Sequence, residues 1–215
     1  MKTRLIILSA ATLLAAGMIS CDKNNLARNI EGTWQGNATP VTTQSAGIVT
    51  MTDTWDFSRD DANANGGTLI ITSLASVECP LSAAGADTIA PASAPYAVTV
   101  AASVTINGTW DLEKKDDDNV IVSMDPRTLT VSIDPSAVAV SADGNPATLD
   151  SIPPSLYAAA RAEISAAAKS RFFPISRLED VKAGPQRLKF EIDVAKEGGK
   201  DIDVILTRQG PAPAK

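Results

Sequence analysis

Carboxylates are the side chains in this sequence with the numbers and spacing for chemistry. The 215 residues hold 25 acidic and 19 basic side chains and no histidine. Without imidazole, Ser-His-Asp and Cys-His catalysis and the common zinc sites are excluded. Asp61-Ala62-Asn63-Ala64-Asn65-Gly66 matches the first half of a calcium loop, which makes Asp61, Asn63 and Asn65 weak calcium candidates. The bidentate glutamate that such a loop needs at its twelfth position is replaced by Thr72, and strand-like segments flank the stretch, so a solvated hairpin tip is expected. Asp116-Asp117-Asp118, after Lys114-Lys115, reads as a charged turn. A carboxylate hydrolase needs two carboxyl groups facing each other across a cleft, and the acidic residues here sit mostly in turns. No catalytic residue, resident metal or cofactor is therefore expected. Asp53 stands apart. It is in phase with Val49, Met51, Trp55 and Phe57, on a face that should be buried. A carboxylate there needs a partner, such as Arg208, Arg187 or a ligand amine. Pointing inward it joins Trp55 and Trp110 as a candidate ligand-lining residue; a local bulge turning it outward is the preferred reading.

The thiols come next. Lys2 and Arg4 precede an apolar run from Leu5 to Ala16, and Gly17-Met18-Ile19-Ser20 leads into Cys21. Charge, length and the placed cysteine resemble the leader of a bacterial lipoprotein, although Ser20 is the only one of Met18, Ile19 and Ser20 that fits the usual box well. The resemblance implies a signal peptide over 1–20, acyl chains on Cys21, and residency in the cell envelope, anchored by lipid on the periplasmic face or the cell surface. Two or three acyl chains, at about 0.8 kcal/mol per buried methylene, hold a protein on a membrane permanently. Cys79 would then be the remaining cysteine, with no disulfide available, and reads as a structural free thiol.

Loss of Lys2 and Arg4 leaves 17 basic against 25 acidic residues, a net charge of −8. That balance argues against nucleic acid as a partner. About 195 residues suffice for one well-packed domain.

The elements that must position these residues are mostly strands. Tyr96, Val98, Val100, Ala102, Val104, Ile106, Gly108, Trp110 and Leu112 alternate with polar or small residues, which is the pattern of a sheet with one wet face. At about 3.3 Å per residue this run exceeds roughly 50 Å, so a bend or break near 101–103 is expected. Similar alternation runs through 49–57, 69–77, 120–124, 129–133, 188–194 and 202–206. Turn chemistry at Asn65-Gly66-Gly67, 116–119, Asp125-Pro126-Arg127 and 197–200 predicts hairpins between them. Residues 79–95, rich in Ala, Ser and Pro, read as a long loop. Leu156, Ala160, Ile164, Ala168 and Phe172 recur every four residues and predict one helix, capped by Ser151 or Ser155 and ended by Pro174.

The expected fold is mainly β: a single antiparallel up-and-down barrel of about 8–10 strands, with one α-helix inserted before the final hairpin. The barrel domain is read as 31–209, after a lipidated N-terminus and tether over 21–30 and before a tail over 210–215. Gly32-Thr33-Trp34 on the first strand, with Arg208 in Leu206-Thr207-Arg208 on the last, resembles the lipocalin-like group of calycin barrels. The resemblance implies that Gly32, Trp34 and Arg208 close the barrel floor, the guanidinium lying over the indole. It also implies a small apolar or amphipathic ligand held without catalysis. The alternative is an accessory lipoprotein that binds another envelope protein through a surface loop or patch.

Overall fold

The computed structural model describes residues 23–43, 47–61, 63–81, 96–115, 118–149, 151–192 and 202–210. The leader, Cys21, residues 82–95 of the expected loop, Asp116, Asp117, the turn over 197–200 and residues 211–215 of the tail lie outside them, while residues 79–81, also expected in the loop, are strand. In chain order the described elements are α1 (Lys23–Ile30), β1 (Gly32–Gln35), β2 (Thr39–Thr42), β3 (Ile48–Asp60), β4 (Asn63–Leu81), β5 (Tyr96–Leu112), β6 (Val120–Met124), β7 (Thr130–Ala142), β8 (Asn145–Ala147), α2 (Pro154–Phe172), β9 (Arg177–Ala183), β10 (Arg187–Ile192) and β11 (Ile202–Gln209).

Eight of these strands close into an antiparallel barrel, running β1-β3-β4-β5-β6-β9-β10-β11 and back to β1. Closure is made by Trp34 opposite Arg208 on one side of β1 and Trp34 opposite Trp55 on the other. The alternation read along β5 is the burial pattern: Val98, Val100, Val104 and Ile106 are fully buried and Trp110 nearly so, while Ser103 and Asn107 face solvent. Of the expected bend or break near 101–103, the break does not occur, and an irregularity does fall at that place. β5 is continuous, and the irregularity falls on its partner β7, where the register shifts opposite Val100–Ala102. The extra residues there include Pro135, which cannot donate to a ladder and is confined to such bulges.

The barrel is complete along part of its length. β1 and β2 lie one after the other on the same edge of β3, and β6 and β7 do the same on β5. Asp125-Pro126-Arg127 is therefore not a hairpin. It forms a short 3-10 turn, in which the Asp125 carboxylate accepts the Arg127 backbone N–H, and the chain continues along β5. β1 pairs with β11 and β6 with β9, whereas β2 and β7 leave the ring. Beyond those corners the long strands β3, β4 and β5 form an open sheet, and α2 packs across its inner face. Leu156, Ala160, Ile164, Ala168 and Phe172 are buried at the expected spacing, joined by Ala167. Small residues on this face allow the helix to approach the sheet closely. Its start differs from expectation. Pro153 holds the cap position with no side-chain bond, and Pro154 occupies the first turn, where its missing N–H costs nothing.

α1 covers the other end, with Leu26, Ala27 and Ile30 buried against β3, β4 and β9. Within the closed half, Trp55 lies 5.4 Å from Phe190 and 6.1 Å from Phe57, and Phe57 meets Trp110 edge-on at 5.9 Å. Aromatic rings thus fill the barrel interior there. The hairpin tip between β3 and β4 is also displaced from its expected place. Gly66 and Gly67 belong to β4, and the turn falls near Asp61. A Cβ on Gly67 would stand 2.0 Å from the Ser58 carbonyl oxygen, so the glycine serves a close strand approach at the Arg59–Asp60 bulge.

Candidate functional site

Where β11 parts from β2, a cleft of about 660 Å³ opens in the barrel wall. Its two sides are Thr39–Thr42 of β2 and Ile202–Leu206 of β11, and its inner wall includes Trp55, Asp53 and the last turn of α2 from Ser170 to Phe172. Most of the surface is apolar, with Val41, Ile175, Ile192, Val204 and Leu206 contributing. The opening follows directly from the chain's path. β1 ends at Gln35, Gly36 donates its N–H to the Asp53 carbonyl at 2.8 Å, and the chain swings out to β2 instead of continuing beside β11.

One polar constellation stands in this wall. Asp53 points inward with its side chain 4 % exposed, so the expected outward bulge is absent. β3 and β4 are in unbroken register at this point, which gives the strand no freedom to turn the residue over. Its partner is neither Arg208 nor Arg187. Arg171, from the last turn of α2, donates Nε–H to Asp53 Oδ2 at 2.6 Å and places Nη2 2.6 Å from the same oxygen. Ser73, directly across the β3–β4 ladder, donates its hydroxyl to Oδ1 at 2.7 Å. The carboxylate is thereby compensated by a cation and a hydroxyl, as burial requires. Sequence reasoning missed both partners. The signals were present: Ser73 is in phase with the inward Ile71 and Ala75, and Arg171 follows the buried Ile164 and Ala167 by seven and four residues.

Trp55 borders the cleft from below, whereas Trp110 is enclosed in the aromatic cluster and does not border it. Trp110 Nε1–H donates to the Ser58 carbonyl at 3.3 Å.

At the closed end the Arg208 guanidinium lies 3.9 Å from the centre of the Trp34 ring. Its N–H groups reach the carbonyls of Pro185, Glu31 and Asn29 at 3.0, 2.9 and 2.8 Å. Trp34 Nε1–H donates to the Ile30 carbonyl at 2.6 Å. Gly32 sits directly under the guanidinium at φ +123°, where a Cβ would stand 2.4 Å from Nη1. Burial pulls the Arg208 pKa down from its ordinary value.

Of the calcium candidates, Asp61 is exposed in the β3–β4 turn, and Asn63 and Asn65 run along β4. Among the described residues no three His, Cys, Asp or Glu side chains come together in a metal-binding group. Cys79 is half-buried near the end of β4; burial first, and the charge of Glu163 second, raise its thiol pKa.

Comparisons with protein-family models, curated proteins and solved structures find no match to this chain.

Proposed function

We propose that this protein is a cell-envelope lipoprotein with a lipocalin-like barrel that holds a small apolar or amphipathic ligand and catalyses no reaction. The observation that carries the reading is the lateral cleft of about 660 Å³, within the size range of small-molecule sites, with a mostly apolar lining that includes the Asp53–Arg171 ion pair. The Trp34–Arg208 floor supports the lipocalin-like assignment, and the leader ending at Cys21 supports the anchor. The ligand's place differs from a lipocalin's axial cavity: aromatic rings occupy the closed half of the interior, and the space lies where the wall parts. Native mass spectrometry of a chain beginning at Asp22, gently purified and compared with the denatured mass, tests the reading. A stoichiometric small-molecule adduct is expected. A clean apo mass, repeated after exposure to host lipids, overturns it.

A second reading is an accessory lipoprotein that binds an envelope protein. It is favoured by Ile48, Ile70 and Leu74 on the outward faces of β3 and β4, which are 61, 40 and 66 % exposed. Retention of one envelope protein by the wild-type chain and its loss in a Leu74→Glu variant would support this alternative.

A further inference from the structure

The charge arrangement of the cleft selects among amphiphiles, given the ligand-binding reading above. Among the described residues three charged side chains line it: Asp53, Arg171 and Asp203. Asp53 and Arg171 neutralise one another, and Asp203 at the mouth is paired with Lys189 at 2.8 Å. An anionic head group entering here meets two carboxylates and a guanidinium already engaged. A cationic head group meets Arg171, and both carboxylates are already compensated. Either would bring an uncompensated charge into a partly desolvated wall, which is costly.

One charged group in the wall keeps a spare donor. Arg171 gives Nε and Nη2 to a single oxygen of Asp53, and its Nη1 has no acceptor among the described residues. The side chain is 27 % exposed and lines the cleft. Guanidinium is donor-only, so the group that satisfies it must be an acceptor. From this polar end the apolar wall runs along Ile202–Leu206, about 16 Å of strand at roughly 3.3 Å per residue.

We infer that the cleft takes a neutral single-chain amphiphile, an acyl ester or amide, whose carbonyl oxygen accepts an N–H from Arg171 while its hydrocarbon chain lies along β11. The hydrogen bond is charge-assisted and adds no net charge to the wall. Both apolar contact and head-group recognition come from side chains already held in place by the ion pair and the β11 ladder.

Calorimetric titration of the chain beginning at Asp22, which keeps every described element, decides the matter. The probes share one chain length: monolaurin, laurate and dodecyltrimethylammonium, each below its micellar concentration at pH 8. Monolaurin is expected to bind at least about tenfold more tightly than either ion, a difference of about 1.4 kcal/mol. A paired variant, Asp53→Asn with Arg171→Met, removes the guanidinium donors without stranding a buried charge, and should weaken monolaurin binding by about tenfold. Laurate or the cation binding as tightly as monolaurin to the wild type overturns the inference and leaves ligand binding standing. No binding of any probe overturns both. Should the paired variant fail to fold, the wild-type ranking decides alone.

Discussion

The Arg208 guanidinium lies 3.9 Å above the Trp34 ring and directly against Gly32. Three elements meet in that stack. β11 supplies the arginine, β1 the indole, and the end of α1 with the residue after it the carbonyls of Asn29 and Glu31 that the guanidinium binds. Arg208→Ala leaves those carbonyls and that of Pro185 without their donor and uncovers the indole, at an expected cost of about 3–5 kcal/mol. Arg208→Lys keeps the charge and loses the planar fork, so it should recover less than half of that. Urea unfolding followed by tryptophan fluorescence measures both. Equal stability of Arg208→Ala and wild type would show that the floor is held by packing alone.

Gly32 gives an independent check on the same stack. Its φ is +123°, and a Cβ added there would stand 2.4 Å from Nη1, so Gly32→Ala must both strain the backbone and displace the guanidinium. A loss of about 2 kcal/mol or more is expected, and Arg208→Ala should add little once Gly32 is replaced, because both changes dismantle one contact. Additive losses in the same urea titration would count against the coupling.

The Asp53–Arg171 pair ties the end of α2 to the barrel. Removing one partner leaves a buried carboxylate uncompensated, an effect of about 3–5 kcal/mol for fully enclosed pairs. Arg171 is 27 % exposed, so solvent screening reduces the expected loss for Arg171→Met to about 2–3 kcal/mol. Asp53→Asn combined with Arg171→Met should recover at least about 1 kcal/mol of it, giving a double-mutant cycle with clear coupling. Ser73→Ala, which removes the hydroxyl on Oδ1, should cost about 1 kcal/mol. A cycle with no coupling would mean that the wall is held by apolar contacts.

Cys79 should be a slow nucleophile. Burial and the nearby Glu163 charge both raise its pKa, so at pH 8 the thiolate fraction is below that of an ordinary thiol. In the chain beginning at Asp22, where it is the sole cysteine, labelling by a disulfide reagent should run at least about tenfold slower in the native protein than in urea. Equal rates would place the thiol in a more open setting than the end of β4 provides.

Period-two alternation made the strands legible, because a barrel wall with one wet face imposes that pattern on every long strand. β5 followed it throughout, and the helix was equally plain from its four-residue stripe. What the pattern did not reveal is where strands change partners. β6 and β7 carry the same alternation whether they form a hairpin or lie end to end on β5, and the turn residues Asp125-Pro126-Arg127 serve either arrangement. β9 escaped notice because Arg177, Glu179 and Lys182 dilute its apolar positions, which reduce to Leu178 and Val181. The cleft was illegible for the same reason: it is a consequence of β2 leaving β11, a relation between segments some 160 residues apart. Asp53 was in phase with the inward residues, yet the outward bulge was preferred, because its partner Arg171 lies 118 residues away and only the packing of α2 on the sheet brings the two together.

Low pH should open the barrel at one seam first. β6 and β9 share two residue pairs, Val120 with Leu178 and Ile121 with Arg177, the shortest junction in the ring. Glu113 braces it, accepting hydrogen bonds from Arg177 and from Asn119 Nδ2, and the Arg177 bond in particular holds its pKa below the ordinary glutamate value. Because the folded-state pKa is depressed, the folded protein binds fewer protons than the unfolded chain. The contribution is therefore fully present above the unfolded value of about 4.3 and is lost as pH falls through it toward the lower folded value. Hydrogen exchange at the amides of 120–122 and 177–178 should stay slow above about pH 5 and accelerate below about pH 4, relative to β3–β4 amides at the same pH. Glu113→Gln should make the seam exchange faster at neutral pH and flatten its pH response. A seam that tracks the β3–β4 ladder at every pH, after correction for intrinsic exchange, would show that the ring opens as one unit and that Glu113 does not govern it.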